Sequence, residues 1–413
     1  MHVLRVPGRG DSEPILFAFR AAKPGLHKVE VIAYAGGTFL AGLQVEVSVG
    51  DHARSVDGPR RTATIESLEF VPGEVTLQVS YAGAGDRYLF QILSDHATFS
   101  PVPVESLTGQ PGAAVNIARD ALSRLARGST TYGTGTAEEW LRQVGMNLWS
   151  EMVPAVIKEQ FWQLRGTMAS LSIASANDVI PWELLYPVSG DNDNGFLVEQ
   201  IPVMRRVHDQ TRSRRVSVSP PHFIVPEKSP GNALDEVAAI GRHVGPSAAG
   251  QPIDDLSALL ELLRSGDAGL MHFACHNNFR PDGGGSMIEL RNGRFVPVML
   301  SEARLRRTFS RRRPLVFINA CHSASEVPQY TEMMGWARQF MAAGAGAFLG
   351  TLWDVESRSA AAFADAFYSG FTAGSSLGAA TLQGRLAAKA ERRGDPTWLA
   401  YSAYGDPAAT ASI

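Results

Sequence analysis

Cysteine is almost missing: the chain of 413 residues has two, Cys275 and Cys321. Two thiols cannot build a disulfide framework for so long a chain, and their scarcity fits a reducing compartment. No apolar run approaches the ~20 residues that cross a bilayer. The opening residues, MHVLRVPGRGDSEP, have no apolar core of the kind a secretory signal needs. A cytoplasmic location with no membrane partner is expected. Excess charge is also lacking, since 38 basic and 41 acidic side chains leave a net of −3. That balance argues against nucleic acid as a partner. The length allows two or three domains.

What is present is a change of pattern along the chain. Within residues 1–100, HKVEVIAY, LQVEVSV, EVTLQVSY and RYLFQIL alternate or are rich in β-branched and aromatic side chains. Pro24-Gly25 with Val29, Val31 and Gly37 is echoed by Pro72-Gly73 with Leu77, Val79 and Gly85. This predicts a small all-β sandwich, regulatory or docking in role and without a catalytic residue set. Residues 101–136 read as a helical linker, in which AAVNIARDALSRLA lies between the loop-like GQPG and GSTTYGTGT. Trp140, Val144, Leu148 and Met152 then form a helical stripe, and Pro154 interrupts it. Residues 137–413 alternate strand and helix, which predicts an α/β domain with a mostly parallel sheet flanked by helices. LVFI and AFLGTLW are apolar throughout, as strands buried on both faces should be.

Both cysteines stand in the same tripeptide, in FACHNN at 273–278 and INACHSA at 318–324. Two Cys and two His are the right ligand types for zinc. Neighbours on a strand point to opposite faces, however, so Cys275 and His276 diverge, as do Cys321 and His322. The pairs also lack the usual two-residue spacer. No metal and no cofactor is expected.

A different pairing takes one residue from each tripeptide. In an open parallel sheet, function gathers at the carboxyl ends of the strands. His276 follows the apolar run 270–275, and Cys321 follows the run 315–320. Adjacent strands would bring both side chains to one edge. A thiol near neutral pH needs a basic partner to become a thiolate, and an imidazole can later protonate a leaving amine. The pair suits acyl transfer, with backbone N–H groups of Asn277 and Cys321 available for the oxyanion. The histidine lies upstream of the cysteine, the caspase order and the reverse of papain's.

Six ordered segments extend this pattern: IPWELLYP, LMHFACHN, SMIELRNGRFVPVMLSE, PLVFINACHSA, GWARQFMAAGAGAFLGTLWDVESRSAAAFADAFYSGF and TWLAYSAYGDP. Through them the region 137–413 resembles the CHAT domain, in the caspase, separase and metacaspase clan of cysteine peptidases. The resemblance implies a caspase-like fold, His276 as base and Cys321 as nucleophile, and a protein as substrate. It also implies a regulatory protein or signal acting through the N-terminal domain, in a bacterial defence or regulated-death system. Where the clan commonly has Gly after the histidine, this chain has Asn277, whose backbone N–H suffices. Asn319 stands where metacaspases carry an Asp that helps bind a basic substrate residue, so a strict Arg/Lys preference is not implied. After Trp353 the family often has Pro; here Asp354 and Glu356 could form an acidic wall beside a substrate, or be solvated loop acids. Asn319, Trp353, Asp354 and Glu356 are thus candidate substrate contacts. The alternatives to an active endopeptidase are a catalytically silent scaffold for protein binding, and a protease latent until a partner or small signal activates it.

Other residues have plainer expectations. His272 is read as a hydrogen-bonded interior histidine and Cys275 as a small buried hydrophobe. His322 is assigned to a loop or first turn. Trp182 and Glu183 are read as packing residues. The six arginines within 302–313 read as a solvated helix face or a docking surface for an acidic partner.

Overall fold

The computed structural model describes residues 4, 12–17, 20–21, 23–50, 69–82, 87–104, 133–175, 180–190, 192–207, 212–280, 285–319, 335–353 and 355–413. Strands β1 (Gly25–Ala35) and β2 (Thr38–Val49) pair as an antiparallel hairpin. Then come β3 (Glu74–Ala82), β4 (Arg87–Leu93) and β5 (Val102–Val104). Helices α1 (Thr134–Met152) and α2 (Ala155–Leu164) follow, separated by Pro154 as the sequence predicts. The predicted helix between GQPG and GSTTYGTGT lies outside the described residues.

Next are β6 (Ser170–Ser175), the short hairpin β7 (Val188–Ser189) and β8 (Asn192–Asp193), helix α3 (Leu197–Gln200) and β9 (Val203–Arg206). They lead to β10 (Arg215–Ser217), β11 (Pro221–Ile224), α4 (Ala233–Val244), α5 (Leu256–Ser265) and β12 (Leu270–Ala274). A three-stranded antiparallel sheet, β13 (Asn277–Arg280), β14 (Gly285–Leu290) and β15 (Gly293–Phe295), precedes α6 (Ser301–Arg306) and β16 (Leu315–Asn319). The chain closes with α7 (Trp336–Ala342), β17 (Ala347–Thr351), α8 (Ser357–Thr372), α9 (Leu377–Glu391), α10 (Thr397–Ala400), β18 (Tyr401–Tyr404) and β19 (Thr410–Ser412).

Ten of these strands form one sheet in the order β11-β12-β16-β17-β18-β9-β6-β3-β4-β5. The first four are mutually parallel, and so are β18, β9, β6 and β3. The β17–β18 pairing is antiparallel, so the two blocks run in opposite senses. The fold is therefore mixed α/β, with a large, mostly parallel sheet flanked by helices. Every residue of β12, β16 and β17 is buried. Their continuous apolar runs reflect cover on both faces. Among the described residues, no helix is long and apolar enough to cross a membrane.

The N-terminal segment is built of strands, as expected, but β3, β4 and β5 extend the central sheet instead of closing a sandwich of their own. The joint is parallel, with Val75 beside Leu171 and Leu77 beside Ile173. The alternation EVTLQV suggests a half-exposed strand, yet its polar members Glu74 and Thr76 are buried. They are satisfied by the hairpin: Thr38 Oγ1 donates to Glu74 Oε2 at 2.9 Å, and Thr76 Oγ1 donates to the Gly37 carbonyl at 2.6 Å. Gly37 permits this approach, since a Cβ there would lie 2.0 Å from the Glu74 carbonyl oxygen.

The PWELL segment packs inward as predicted. Trp182 and Glu183 are buried, and Glu183 receives Arg205 Nε at 2.9 Å and Nη2 at 2.6 Å, plus the Ser402 hydroxyl at 2.6 Å. Burial alone would raise this carboxyl; the charge and hydrogen bonds of Arg205, with Ser402, reverse that and hold it below the usual carboxylate range. Close by, the buried Arg385 donates to the carbonyls of Trp398 and Tyr401. Its burial lowers the guanidinium to about 10 against the opposing pull of Glu183. These contacts tie β9, α9, α10 and β18 together beneath the sheet.

Candidate active site

Strands β12 and β16 are direct neighbours in parallel register. Leu270 pairs with Leu315 and Ala274 with Asn319, a constant offset of 45 residues. Beyond Ala274, where β12 ends, Cys275 is buried and His276 is exposed. His276 therefore emerges at the carboxyl end of β12, at the junction where the chain enters β13 with Asn277 opposite Ile288. Cys275 is buried, as predicted. Cys321 stands two residues after Asn319, and both Cys321 and His322 lie outside the described residues; so does Asp354.

Beneath this edge is a closed polar network. His272 is fully buried on β12, with Nε2 2.8 Å from Glu236 Oε1 and Nδ1 3.1 Å from the Tyr368 hydroxyl. The same Glu236 oxygen accepts from Asn319 Nδ2 at 2.9 Å, and Asn319 Oδ1 accepts from the Tyr401 hydroxyl at 2.9 Å. A carboxylate oxygen only accepts, which places a ring proton of His272 on Nε2. Burial, and then the charge of Glu236, push both tyrosines well above their ordinary range, so they act as neutral donors. The network joins β12, β16, α4, α8 and β18. Its effect is to fix the two strand ends from which the candidate residues depart.

The interior role predicted for His272 is what the structure shows. Asn319 differs from its expected substrate-facing role, because the residue is buried and its carboxamide is committed to Glu236 and Tyr401. Strand parity explains this: Asn319 shares the face of His272, under α4 and α8. Trp353 is fully buried, with no hydrogen-bond partner for Nε1 among the described residues. Glu356 caps α8, accepting from the Arg358 and Ser359 amides at 2.9 Å each. Of the acidic wall expected from Asp354 and Glu356, Glu356 is engaged in this cap and Asp354 lies outside the described residues.

Glu236, Tyr368 and Tyr401 escape sequence reasoning. One signal was available: in ALDEVAAIG, Glu236 falls on the apolar stripe with Ala233 and Ile240, all three buried. A carboxylate on a core-facing stripe demands partners.

Residues 142–406 match the family model of the CHAT domain. The match covers more than half of the chain, which belongs to the CHAT domain family. No curated protein sequence matches it. Among solved structures, the Arg-specific cysteine proteinase gingipain R is 11% identical at a TM-score of 0.45, covering 71% of this chain and 75% of that one. A Saccharomyces cerevisiae separase–securin complex gives 12% identity, a TM-score of 0.43, and coverage of 82% and 30%. The complex of Porphyromonas gingivalis RgpB pro- and mature domains gives 12%, 0.43, 71% and 77%. The separase chain is thus mostly outside the similarity.

Proposed function

We propose that the chain is a cysteine endopeptidase in which His276 and Cys321 form the catalytic dyad. The observation that supports this is the β12–β16 register, whose offset of 45 residues equals the separation of 276 and 321 in the chain. The exposure of His276 at that strand end supports the same reading.

In this mechanism His276 accepts the thiol proton and Cys321 Sγ attacks the scissile carbonyl carbon. Backbone N–H groups of Asn277 and Cys321 stabilise the oxyanion of the tetrahedral intermediate. Its collapse breaks the C–N bond, and His276 delivers its proton to the departing amine, leaving a thioester. Water, deprotonated by His276, then attacks the thioester; the acid product leaves and the thiol is restored. The substrate is a protein. In this reading the strands before the family domain carry a docking or regulatory role, and the protease serves bacterial defence or regulated death, a role that rests on the family resemblance.

The test is labelling with a cysteine-reactive peptide probe, with and without cellular lysate, in wild type, Cys321→Ala, Cys275→Ala and His276→Ala. Labelling that is lost in Cys321→Ala, falls at least 100-fold in rate in His276→Ala and persists in Cys275→Ala is expected. Selective labelling that survives Cys321→Ala overturns the dyad.

A further inference from the structure

A cleft of about 400 Å³ lies where the hairpin and β3 meet the family domain. Phe39, Glu74, Ser172, Arg206, Arg212 and Asp406 are among its lining residues. That volume includes open solvent, and about 30 Å³ of the cleft admits the centres of water-sized groups. One water needs roughly 10–15 Å³ by that measure, so the space suits a small polyatomic ion better than a nucleotide or peptide.

The basic side chains here are held rigidly but incompletely used. Arg212 has a side chain only 8% exposed; Nε donates to Asp406 Oδ2 at 2.7 Å and Nη1 to the Glu69 carbonyl at 3.1 Å. Its Nη2 is buried with no hydrogen-bond partner among the described residues. Arg206 lies over the Phe39 ring, 3.8 Å from the centroid, and donates from Nη2 to the Tyr34 hydroxyl at 2.7 Å. Its Nε is likewise buried and without a partner among the described residues. A buried guanidinium N–H left unmade is costly, and here two belong to residues that line one cleft. Guanidinium N–H groups match oxyanions, and Asp406 pre-orients Arg212 as the Tyr34 hydroxyl and the Phe39 ring do Arg206. Glu74 faces the cleft but is held by the Thr38 and Ser172 hydroxyls.

We propose that this cleft binds a small oxyanion, phosphate or carboxylate in type, between Arg206 and Arg212. Bound there, the anion would bridge the N-terminal strands, through Phe39 and Glu74, to β6, β9 and the turn after β18. This site does not depend on the proposed dyad.

Isothermal titration of the full chain at constant ionic strength tests it, with inorganic phosphate in one arm and sodium acetate in the other. Saturable one-site binding of phosphate assigns a tetrahedral anion, and tighter binding of acetate assigns a carboxylate. Arg206→Gln should weaken the bound anion at least tenfold, and Arg212→Lys, which keeps a cation facing Asp406, should do the same. Arg294→Gln, at an exposed position of β15, should leave it unchanged. Binding of neither anion, which would mean that the cleft holds water only, overturns the proposal. So does equal affinity in wild type and both cleft variants.

Discussion

Two buried polar clusters in this protein obey different rules. Under the β12–β16 edge, Glu236, His272, Asn319, Tyr368 and Tyr401 satisfy one another with ring nitrogens, an amide and phenols. At the N-terminal seam, Glu74, Arg206, Arg212 and Asp406 are strongly charged, and two guanidinium N–H groups have no partner among the described residues. The first cluster is complete without a guest and can act only as scaffolding. The second has donors to spare and a carboxyl under strain. Completeness marks a structural network, and a surplus of rigid donors marks a place for something else.

The largest effect should come from breaking the complete network at its hub. Glu236→Ala strips a shared acceptor from His272 and Asn319, leaving two buried donors unpaired. A loss of roughly 2–6 kcal/mol in urea unfolding is expected, from about 1–3 kcal/mol per orphaned group. A loss under 1 kcal/mol would show that the network does not hold the strands.

At the seam the sign is opposite. Burial, and then the nearby Asp406, raise the Glu74 carboxyl to about 7, from an ordinary value of 4.5. Because the folded state disfavours the ionised form, stability should be highest below pH 4.5, as far as this group is concerned. It should fall between pH about 4.5 and about 7, and level off above. Glu74→Gln should flatten that slope and stabilise the protein at pH 8 by on the order of 3 kcal/mol. An unchanged pH profile of thermal unfolding would refute this.

Smaller effects sharpen the contrast. Tyr401→Phe removes one hydroxyl from a completed chain and should cost about 1 kcal/mol in the same assay. Glu356→Ala removes the α8 cap and should cost about 1 kcal/mol, with no change in the labelling rate of Cys321. A large fall in labelling would instead place Glu356 against the substrate. Smallest of all, Glu302→Ala breaks an exposed i,i+4 pair with Arg306 and should move stability by under about 0.5 kcal/mol.

The sequence reveals this fold best where burial is symmetrical. LMHFA, LVFIN and AFLGT are apolar because both faces are covered, and each is a central strand. EVTLQV misleads because its polar residues face another part of the chain, not water. Periodicity records which residues are polar; it does not record whether a hydroxyl or carboxyl meets solvent or Thr38. The same holds at the candidate site. Cys275 reads as a buried hydrophobe and is one, and His276 is exposed because it lies past the end of β12, although His272 of the same parity is fully buried. Asn319 is harder, since its inward role depends on Glu236 and Tyr401, 83 and 82 residues away. Family likeness ranks positions, whereas a hydrogen-bond partner so distant in the chain needs coordinates.

The strand order has a mechanical corollary. Between β3 and β16 stand β6, β9, β18 and β17, a span of roughly 24 Å at about 4.8 Å per step. An ion lodged at the seam is thus too remote to touch a peptide held at His276. Whatever it conveys would have to travel as tilt or stiffening across the sheet, with the sense reversal at β17–β18 as the fulcrum.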